Sequence, residues 1–459
     1  MMREFDVYAG WLSPEEKIGR CIIENARGNE ILGFAYDRSW LVAHSGFSLD
    51  PDIYPMEGLQ FPPSGKPCFG FLSDTSPDRW GRKLMERREA LEAKEEGRPK
   101  RKLQESDYII GVHDGGRIGG IRFFDKKQGI YLSDRKTLAA PPMEKLRELE
   151  QAAAKIDEDP DVRKWIKNLI DPGSSLGGAR PKANVVDEHG NVWIAKFPSA
   201  RDEYDIGAWE MVAHNLSVRC GIDCPEARVM RFSDRGHTYL SKRFDRTVDR
   251  RIHYASAMTM AGRTDMEPAG YMDIISAIES VCASPAEDLM ELWKRMVFSI
   301  CISNTDDHLR NHGFLLSEEG WRLSACFDVN PDPDKDHMAL AIGYDTVKSL
   351  DNAIEMADFF RISAGEAKEI VQQIQGVIKN SWETEADRLK ISHSDKERMR
   401  PAFDESYREI GLTSNKLTKD VVGKKESVVK KIKEYEQQAK EDARTDVNRH
   451  NHKEKNASL

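Results

Sequence analysis

Several features that would decide the class of this protein are missing from its sequence. No apolar run approaches the roughly 20 residues that a membrane-spanning helix needs. The first residues, MMREFDVYAGWLSPEEK, carry charges where a signal peptide has its apolar stretch. The seven cysteines are scattered and odd in number, which indicates free thiols in a reducing compartment rather than a disulfide framework. We therefore predict a cytoplasmic protein that does not enter a membrane.

Patterns typical of zinc sites and of general nucleic-acid binding are also missing. Cys220 and Cys224 are the only cysteines close together, and no second pair at ligand spacing accompanies them. A net charge of -9 argues against sequence-independent binding of nucleic acid by the whole protein, although local basic patches remain possible. The 459 residues, 39% apolar and 32% charged, are typical of a soluble globular protein with two or three domains.

Periodicity and turn signals divide the chain into four predicted parts. Apolar and polar residues alternate near the N-terminus, β-signals return after Pro141-Pro142, and helical periodicity dominates from Ala257 onward. The predicted parts are an N-terminal antiparallel β domain (1–140), a β-rich lobe (141–250), an all-helical lobe (251–410) and a charged helix with a disordered tail (411–459).

Within the first part, Ser76 or Asp78 can cap a helix that ends in a run of mixed charge. Residues 107–124 predict a turn and a strand that close this domain. Their GGRIGG segment looks like a phosphate loop, but no helix follows it. The Rossmann and Walker interpretations therefore fail.

A glycine- and serine-rich loop carries the first indication of nucleotide binding. The segment GSSLGGARPK ends at Lys182, and a hairpin follows whose second strand ends at Lys196. Such a loop can point backbone N–H groups at phosphate oxygens, and a strand lysine can add a positive charge to them. Glu210, in a helix predicted over 204–219, could hold Lys196 in place. A simple turn, a solvated lysine and an exposed glutamate would give the same residues.

The stretch CISNTDDHLRNHGFLLSEEGWRLSACFDVN, residues 301–330, carries the second indication. Asp306 and Asn311 have the spacing of the protein-kinase catalytic loop, although the His-Arg-Asp order is absent, and Asp328 ends an apolar-flanked run. In a phosphoryl-transfer site one carboxylate orients the attacking hydroxyl, and an amide and a second carboxylate hold Mg²⁺. A polar loop with ordinary turns and caps is the alternative.

The strand that ends near Ser241 is predicted to lead into the next lobe as a hinge. Its backbone could bind adenine, and Phe244 could cover the face of the base. The segment SPAEDLMELWKRMVFSICIS predicts a strong helix with one apolar face. Asp306 follows the end of this helix and is expected at the top of the helical lobe.

Seven segments in chain order resemble the HipA-type serine/threonine kinases, which are the toxin halves of bacterial toxin–antitoxin modules. They are WGR after SPD, DGGRIGGIRF, SSLGGARPK, the lysine of IAKF, RFDR, NTDDHLRN and the FD at Asp328. The similarity runs from near the N-terminus to about residue 405. It implies an α+β fold of the two-lobed protein-kinase type.

The resemblance also implies roles for individual residues. Asp306 matches the catalytic base, and Asn311 and Asp328 match the pair that holds Mg²⁺. Ser175, or alternatively Ser174, matches a serine that these kinases phosphorylate on themselves, which abolishes nucleotide binding. The implied nucleotide-binding set is Lys196, Glu210, Ser175, Gly177, Gly178, Ala179, Lys182, Arg243, Phe244 and His308.

The implied function is an ATP- and Mg²⁺-dependent protein kinase whose substrate is a translation component such as an aminoacyl-tRNA synthetase. The implied partner is a small helix-turn-helix antitoxin of the HipB type, through which alone the kinase meets DNA. Pro181 and Lys242 depart from the family pattern, because an acidic residue is common at or beside each place. A kinase for a lipid or small-molecule hydroxyl and a non-catalytic co-repressor are the alternatives.

Overall fold

The computed structural model describes residues 4–26, 29–133, 140–158 and 180–410. The chain divides into two units, Met1–Tyr407 and Arg408–Leu459, and all but the first three residues of the second lie outside the described residues. The predicted helix and tail over 411–459 lie outside them too. No described helix is long and apolar enough to cross a membrane.

The N-terminal part contains a six-stranded antiparallel sheet with the order β4-β3-β2-β1-β5-β6. Its strands are β1 (Glu4–Ala9), β2 (Glu16–Ala26), β3 (Asn29–Tyr36), β4 (Leu59–Gln60), β5 (Ile121–Asp125) and β6 (Ile130–Tyr131). Alternate side chains of β5 are buried, Ile121 and Phe123 among them, because successive side chains of a strand point to opposite faces. The antiparallel strands predicted from sequence alternation are thus present.

Four helices accompany this sheet: α1 (Arg38–Ala43), α2 (Gly70–Ser73), α3 (Arg79–Glu95) and α4 (Glu105–Gly111). Asp78 caps α3, since its Oδ1 accepts a hydrogen bond of 2.6 Å from the backbone N–H of Gly81. Of the two predicted caps, Asp78 is therefore the one that the structure uses.

A second antiparallel sheet has four strands in the order β7-β8-β10-β9. They are β7 (Lys182–Val186), β8 (Val192–Lys196), β9 (Ala227–Ser233) and β10 (Gly236–Lys242). Helix α5 (Leu146–Glu158) packs its apolar side chains onto one face, where Leu149 shares a core with Trp193. Helix α6 (Ile206–Arg219) contacts β9 and β10. This sheet carries Lys196, and α6 carries Glu210.

The C-terminal part is built mainly from helices. They are α7 (Ala257–Met260), α8 (Tyr271–Val281), α9 (Pro285–Cys301), α10 (Leu350–Glu355), α11 (Ala364–Arg388) and α12 (His393–Met399), followed by a 3-10 helix, Arg400–Tyr407. Helix α9 buries the predicted apolar face, including Leu292, Trp293 and Met296. Its C-terminal end leads directly into the segment that contains Asp306.

Two small sheets in this part differ from the all-helical lobe that the sequence predicts. One is made of β11 (Tyr254–Ser256), β12 (Gly313–Leu316) and β13 (Trp321–Leu323), and the other of β14 (His337–Ile342) and β15 (Asp345–Val347). Such strands are too short to show a clear alternation of apolar and polar residues. The hairpin β12–β13 lies between Asn311 and Asp328 and returns the chain toward the site.

A buried ion cluster joins the first sheet to the second. Asp245, 2% exposed, lies between Arg243 and Arg246, with distances to Nη2 of 2.6 Å and 3.2 Å. Its Oδ2 also accepts a hydrogen bond of 2.7 Å from the backbone N–H of Gly119. The RFDR segment, residues 243–246, is thus hydrogen-bonded to the glycine turn, residues 115–120. These bonds fix the N-terminal part beside the second sheet.

Candidate active site

The end of β8, helix α6 and the segment after β13 meet at one lysine. The ammonium of Lys196 donates to the carboxylate of Glu210 and, at 2.6 Å, to Oδ1 of Asp328. Glu210 is 3% exposed, so its charge is hardly screened by water. The structure therefore brings together Lys196, for which the sequence predicts contact with phosphate, Glu210, predicted to hold that lysine, and Asp328, predicted to bind metal.

The charges in this cluster stabilise one another. Burial raises the pKa of Asp328, but the charges of Lys196 and Lys182 outweigh burial and lower this pKa to about 2. Burial lowers the pKa of Lys196, and its two carboxylate partners outweigh that and raise it above its usual range. Asp328 is thus ionised and Lys196 is protonated at neutral pH, as metal and phosphate binding require.

The backbone at Asp328 has a φ angle of 59°, in the left-handed region. An aspartate tolerates this conformation better than most residues, and strained backbone of this kind clusters at functional sites. The ring of Phe327 lies 5.4 Å from that of Phe244, which packs the segment against the end of β10. Packing of Phe327 against Phe244, at the end of the second sheet, therefore holds the backbone conformation of Asp328.

The segment that follows α9 is tied to the Asp328 segment by side chains. The backbone N–H of Asn330 donates to Oδ1 of Asn304 at 3.2 Å, and the hydroxyl of Thr305 donates to Asp332 at 3.1 Å. The backbone N–H of Ala339 donates to the carbonyl of Thr305 at 2.9 Å. These bonds fix the position of Asp306 relative to Asp328.

The two adjacent acids of this segment have different environments. Asp306 is exposed, and its carboxylate has no hydrogen-bond partner among the described residues. Asp307 is 3% exposed, accepts a hydrogen bond of 2.5 Å from the hydroxyl of Tyr271, and lies 2.8 Å from His312. The carboxylate of Asp307 is therefore used in contacts within the core, whereas the carboxylate of Asp306 can accept a hydrogen bond from a hydroxyl group.

Asn311 and Asp328 fit a magnesium ion by the chemistry of their oxygens. The side-chain amide of Asn311 donates to the backbone carbonyl of Asp306 at 3.0 Å, which leaves its Oδ1 without a hydrogen bond in the described part of the chain. Carboxylate and amide oxygens are hard ligands of the kind that Mg²⁺ takes in nucleotide sites. Within the described ranges, no group of three or more His, Cys, Asp and Glu side chains forms a metal site by itself. Nucleotide phosphates would have to supply further ligands.

A cavity of about 670 Å³ opens at Asp306. Asp306, His308 and Phe327 line one side, and Arg79 and Arg82 at the start of α3 line another. The N-terminal part of the chain thus forms a wall of the space where a substrate hydroxyl would reach Asp306. Arg79 was not among the residues that the sequence singled out, because only the tertiary fold brings α3 here.

The contacts of Arg243 differ from those expected of a nucleotide-binding residue. Its Nε and Nη2 donate to Asp245, Nη1 donates to Gly116 and Asn184, and Nη2 also donates to the carbonyl of Arg117. All its N–H groups are therefore used within the protein, and the structure assigns Arg243 a structural role instead.

Two backbone groups of the predicted hinge are already paired within the protein. The backbone N–H groups of Lys242 and Arg243 donate to the carbonyls of Glu226 and Val192, so neither is available to adenine. Phe244 packs on Phe327 as described, beside the site. Lys182 lies 2.9 Å from Asp78 in a buried ion pair, yet its charge still acts on Asp328.

The predicted phosphate loop lies outside the described residues. This concerns Ser174, Ser175, Gly177, Gly178 and Ala179. Their proposed contacts with nucleotide stay predictions.

The bond between Asn304 and Asn330 is a feature that sequence reasoning missed. Both residues lie in the stretch that was singled out, but neither matches a metal or base position. Only the fold of the β12–β13 hairpin reveals that they join the two halves of the site.

Comparison with known proteins identifies the family that this geometry resembles. Residues 174–382 match the model of the HipA-like C-terminal domain. "Putative kinase Y4mE" of Sinorhizobium fredii is 26% identical over 148 residues, which are 30% of this chain and 33% of that protein. The chain thus spans about a third of the length of this curated relative.

The fold resembles that of a solved protein. The relevant structure is the complex of HipA, HipB and operator DNA from a toxin–antitoxin system of Shewanella oneidensis MR-1. The match covers 89% of this chain and 97% of the matched chain, with a TM-score of 0.61 and 15% sequence identity. The Helicobacter pylori proinflammatory kinase CtkA covers 49% of this chain at 13% identity, and its TM-score of 0.34 is too low to carry a conclusion. The resemblance to HipA-type kinases and the α+β fold are confirmed.

Proposed function

We propose that this chain, which carries a HipA-like C-terminal domain over residues 174–382, is an ATP- and Mg²⁺-dependent protein serine/threonine kinase. The observation that carries the proposal is the contact of Lys196 with both Glu210 and Asp328. A lysine held by a helix glutamate next to a metal-binding aspartate is the arrangement with which kinases hold nucleotide phosphates.

In this proposal some side chains bind the nucleotide and Asp306 binds the substrate. Lys196 binds phosphate oxygens, Glu210 orients Lys196, and Asn311 and Asp328 would hold Mg²⁺, which neutralises phosphate charge during transfer. Asp306 accepts the hydrogen bond of the substrate hydroxyl and orients it toward the γ-phosphate. The cavity bounded by α3 admits the segment of the protein that bears this hydroxyl.

Titration of the protein with Mg²⁺-ATP tests the nucleotide site. Asp328→Asn should weaken binding by at least about tenfold, because one charged metal ligand is lost. Asp334→Asn is the matched control, since Asp334 is an exposed acid a short distance along the same segment. Unchanged affinity in Asp328→Asn, or equal losses in both variants, would remove the basis of the proposal.

We further propose that the kinase silences itself by phosphorylating Ser175, with Ser174 as the alternative. A phosphate there would add nearly two negative charges to a loop meant for the phosphates of ATP. After incubation with Mg²⁺-ATP, wild type should gain one phosphate and lose nucleotide binding, and Ser175→Ala should not. Ser174→Ala is the matched control. A phosphorylated form that still binds ATP with full affinity rejects the mechanism.

For substrate and partner, we propose a translation component such as an aminoacyl-tRNA synthetase and a small HipB-like antitoxin. The HipB and operator DNA present with HipA in the solved complex support the partner. Transfer of radiolabelled phosphate to purified synthetases, with a lipid panel in parallel, tests the substrate class. Labelling of lipid alone would favour a kinase for lipid hydroxyls.

A further inference from the structure

The first turn of α3 is attached to the strand that follows the predicted phosphate loop. Nζ of Lys182, the first residue of β7, lies 2.9 Å from Oδ2 of Asp78, and the indole N–H of Trp80 donates to the backbone carbonyl of Lys182 at 3.1 Å. The side chains of Asp78 and Lys182 are only 1% and 3% exposed. Because water hardly screens this pair, its attraction is strong, and the N-terminal part of the chain holds Lys182 in place.

Lys182 and Lys196 are neighbours on two adjacent strands. The register of β7 and β8 places them directly opposite each other. Residues in such positions project from the same face of the sheet, with β-carbons about 4.5–5.5 Å apart, and like charges there repel each other. Each lysine therefore requires an anion of its own.

The structure supplies the two lysines with separate anions. Lys196 is bound by the two carboxylates described above, whereas Lys182 is bound by Asp78. Asp78 lies outside residues 174–382, which match the HipA-like C-terminal domain. The balance of charge at the candidate site thus depends on a residue that this domain does not contain.

We propose that Asp78 is a positioning residue of the nucleotide site. Its carboxylate holds Lys182 and balances its charge, so that only Lys196 is presented to the phosphates and Mg²⁺ meets no second unbalanced cation. In this role Asp78 acts through Lys182 and does not touch the nucleotide. The inference rests on the proposed function, because it requires that phosphates and Mg²⁺ bind at Lys196 and Asp328.

Loss of the Asp78 charge should have opposite effects on the two ligands. Asp78→Asn keeps the cap of α3, because asparagine caps helices about as well as aspartate, but it takes this anion away from Lys182. The unbalanced positive charge attracts the phosphates of ATP and repels Mg²⁺. A residue that only stabilised the fold would instead affect both ligands in the same direction or not at all.

Calorimetric titration of the full-length protein with ATP, once in EDTA and once in excess Mg²⁺, measures both effects. For Asp78→Asn, metal-free ATP should bind at least about threefold more tightly than in wild type. The affinity gained on adding Mg²⁺ should fall by at least about threefold. Asp78→Glu retains the charge, and both quantities should stay within about twofold of wild type.

Two further variants separate charge from packing. Trp80→Phe removes the hydrogen bond between α3 and the carbonyl of Lys182 without changing any charge, so the protein should lose stability but keep the ratio of the two affinities. Lys182→Met removes the cation and leaves Asp78 unbalanced, which should weaken the binding of metal-free ATP and enlarge the gain from Mg²⁺. This variant carries the test if Asp78→Asn does not fold.

Equal ratios of the two affinities in Asp78→Asn and wild type, or the same change in Trp80→Phe, would overturn the inference. So would a change of the opposite sign in Asp78→Asn or in Lys182→Met. Failure of the proposed function has a different signature, which is the absence of ATP binding by wild type in both buffers, and this inference would fall with it.

Discussion

The ammonium of Lys196 and the carboxylate of Asp328 lie 2.6 Å apart in the free protein, joining the end of β8 to the segment after β13. The same carboxylate is the candidate ligand of Mg²⁺. In the proposed site, lysine and metal would therefore compete for one charge until the nucleotide phosphates, which attract both, enter. Such competition would make metal binding dependent on nucleotide.

The first prediction concerns this competition. In Lys196→Met the carboxylate of Asp328 loses its cation, so Mg²⁺ without nucleotide should bind several-fold more tightly than in wild type, while Mg²⁺-ATP binds more weakly. Lys242→Met, on the partly exposed end of β10, is the control. Magnesium titrations with and without ATP provide the measurement. Weaker binding of Mg²⁺ alone by Lys196→Met would contradict the account.

The second prediction concerns the RFDR segment. Asp245→Asn leaves the buried guanidiniums of Arg243 and Arg246 without their shared anion, which should cost about 3–5 kcal/mol of unfolding free energy. Asp249→Asn changes an exposed acid of the neighbouring turn and should cost less than about 0.5 kcal/mol. Denaturant unfolding measures both. Equal stability of the two variants would show that the cluster does not hold the N-terminal part in place.

The third prediction concerns His253, whose ring stacks on Trp11 at a centroid distance of 4.3 Å. Neither ring nitrogen has a hydrogen-bond partner among the described residues, and burial lowers the pKa of His253 to about 3. The unfolded chain, with a pKa near 6.5, binds the proton that the folded protein rejects. This residue should therefore remove stability as the pH falls from about 6.5 toward 3, by roughly 4 to 5 kcal/mol in full.

His253→Phe keeps the aromatic packing and abolishes this titration. Its unfolding free energy should exceed that of wild type increasingly as the pH falls below about 6.5. Thermal unfolding measured from pH 8 to pH 4 checks the difference, with exposed His189→Phe as the control. Parallel pH profiles for wild type and His253→Phe would rule out the proposed cause.

These residues show which parts of the structure the sequence could predict. The cap at Asp78, the apolar face of α9 and the alternating strands depend on neighbours in the chain, and local patterns predict them. The spacing of Asp306 and Asn311 is local too. Their catalytic assignment depended on the resemblance, since the same spacing occurs in ordinary polar loops.

Other features depend on the tertiary fold, and no local pattern reveals them. Arg243 was expected to bind nucleotide, but its donors are taken up by residues from the distant glycine turn. The sequence sets Cys224 beside Cys220, whereas the carbonyl of the adjacent Asp223 accepts a backbone hydrogen bond from Cys326. In each case the partner comes from a remote part of the chain that only the packing of the sheets brings near.

We propose that Asp306 acts on the substrate hydroxyl while other residues hold the nucleotide. Calorimetry of Mg²⁺-ATP binding and transfer of radiolabelled γ-phosphate, carried out on the same preparations, test it most directly. In Asp306→Asn, affinity should stay within about threefold of wild type, and transfer should fall by at least about 100-fold, the lower end of general-base contributions. Asp307→Asn should mainly lower thermal stability, because Asp307 is buried against Tyr271 and His312. Undiminished transfer by Asp306→Asn, with Asp307→Asn inactive although folded, would show that Asp307 and not Asp306 acts on the hydroxyl.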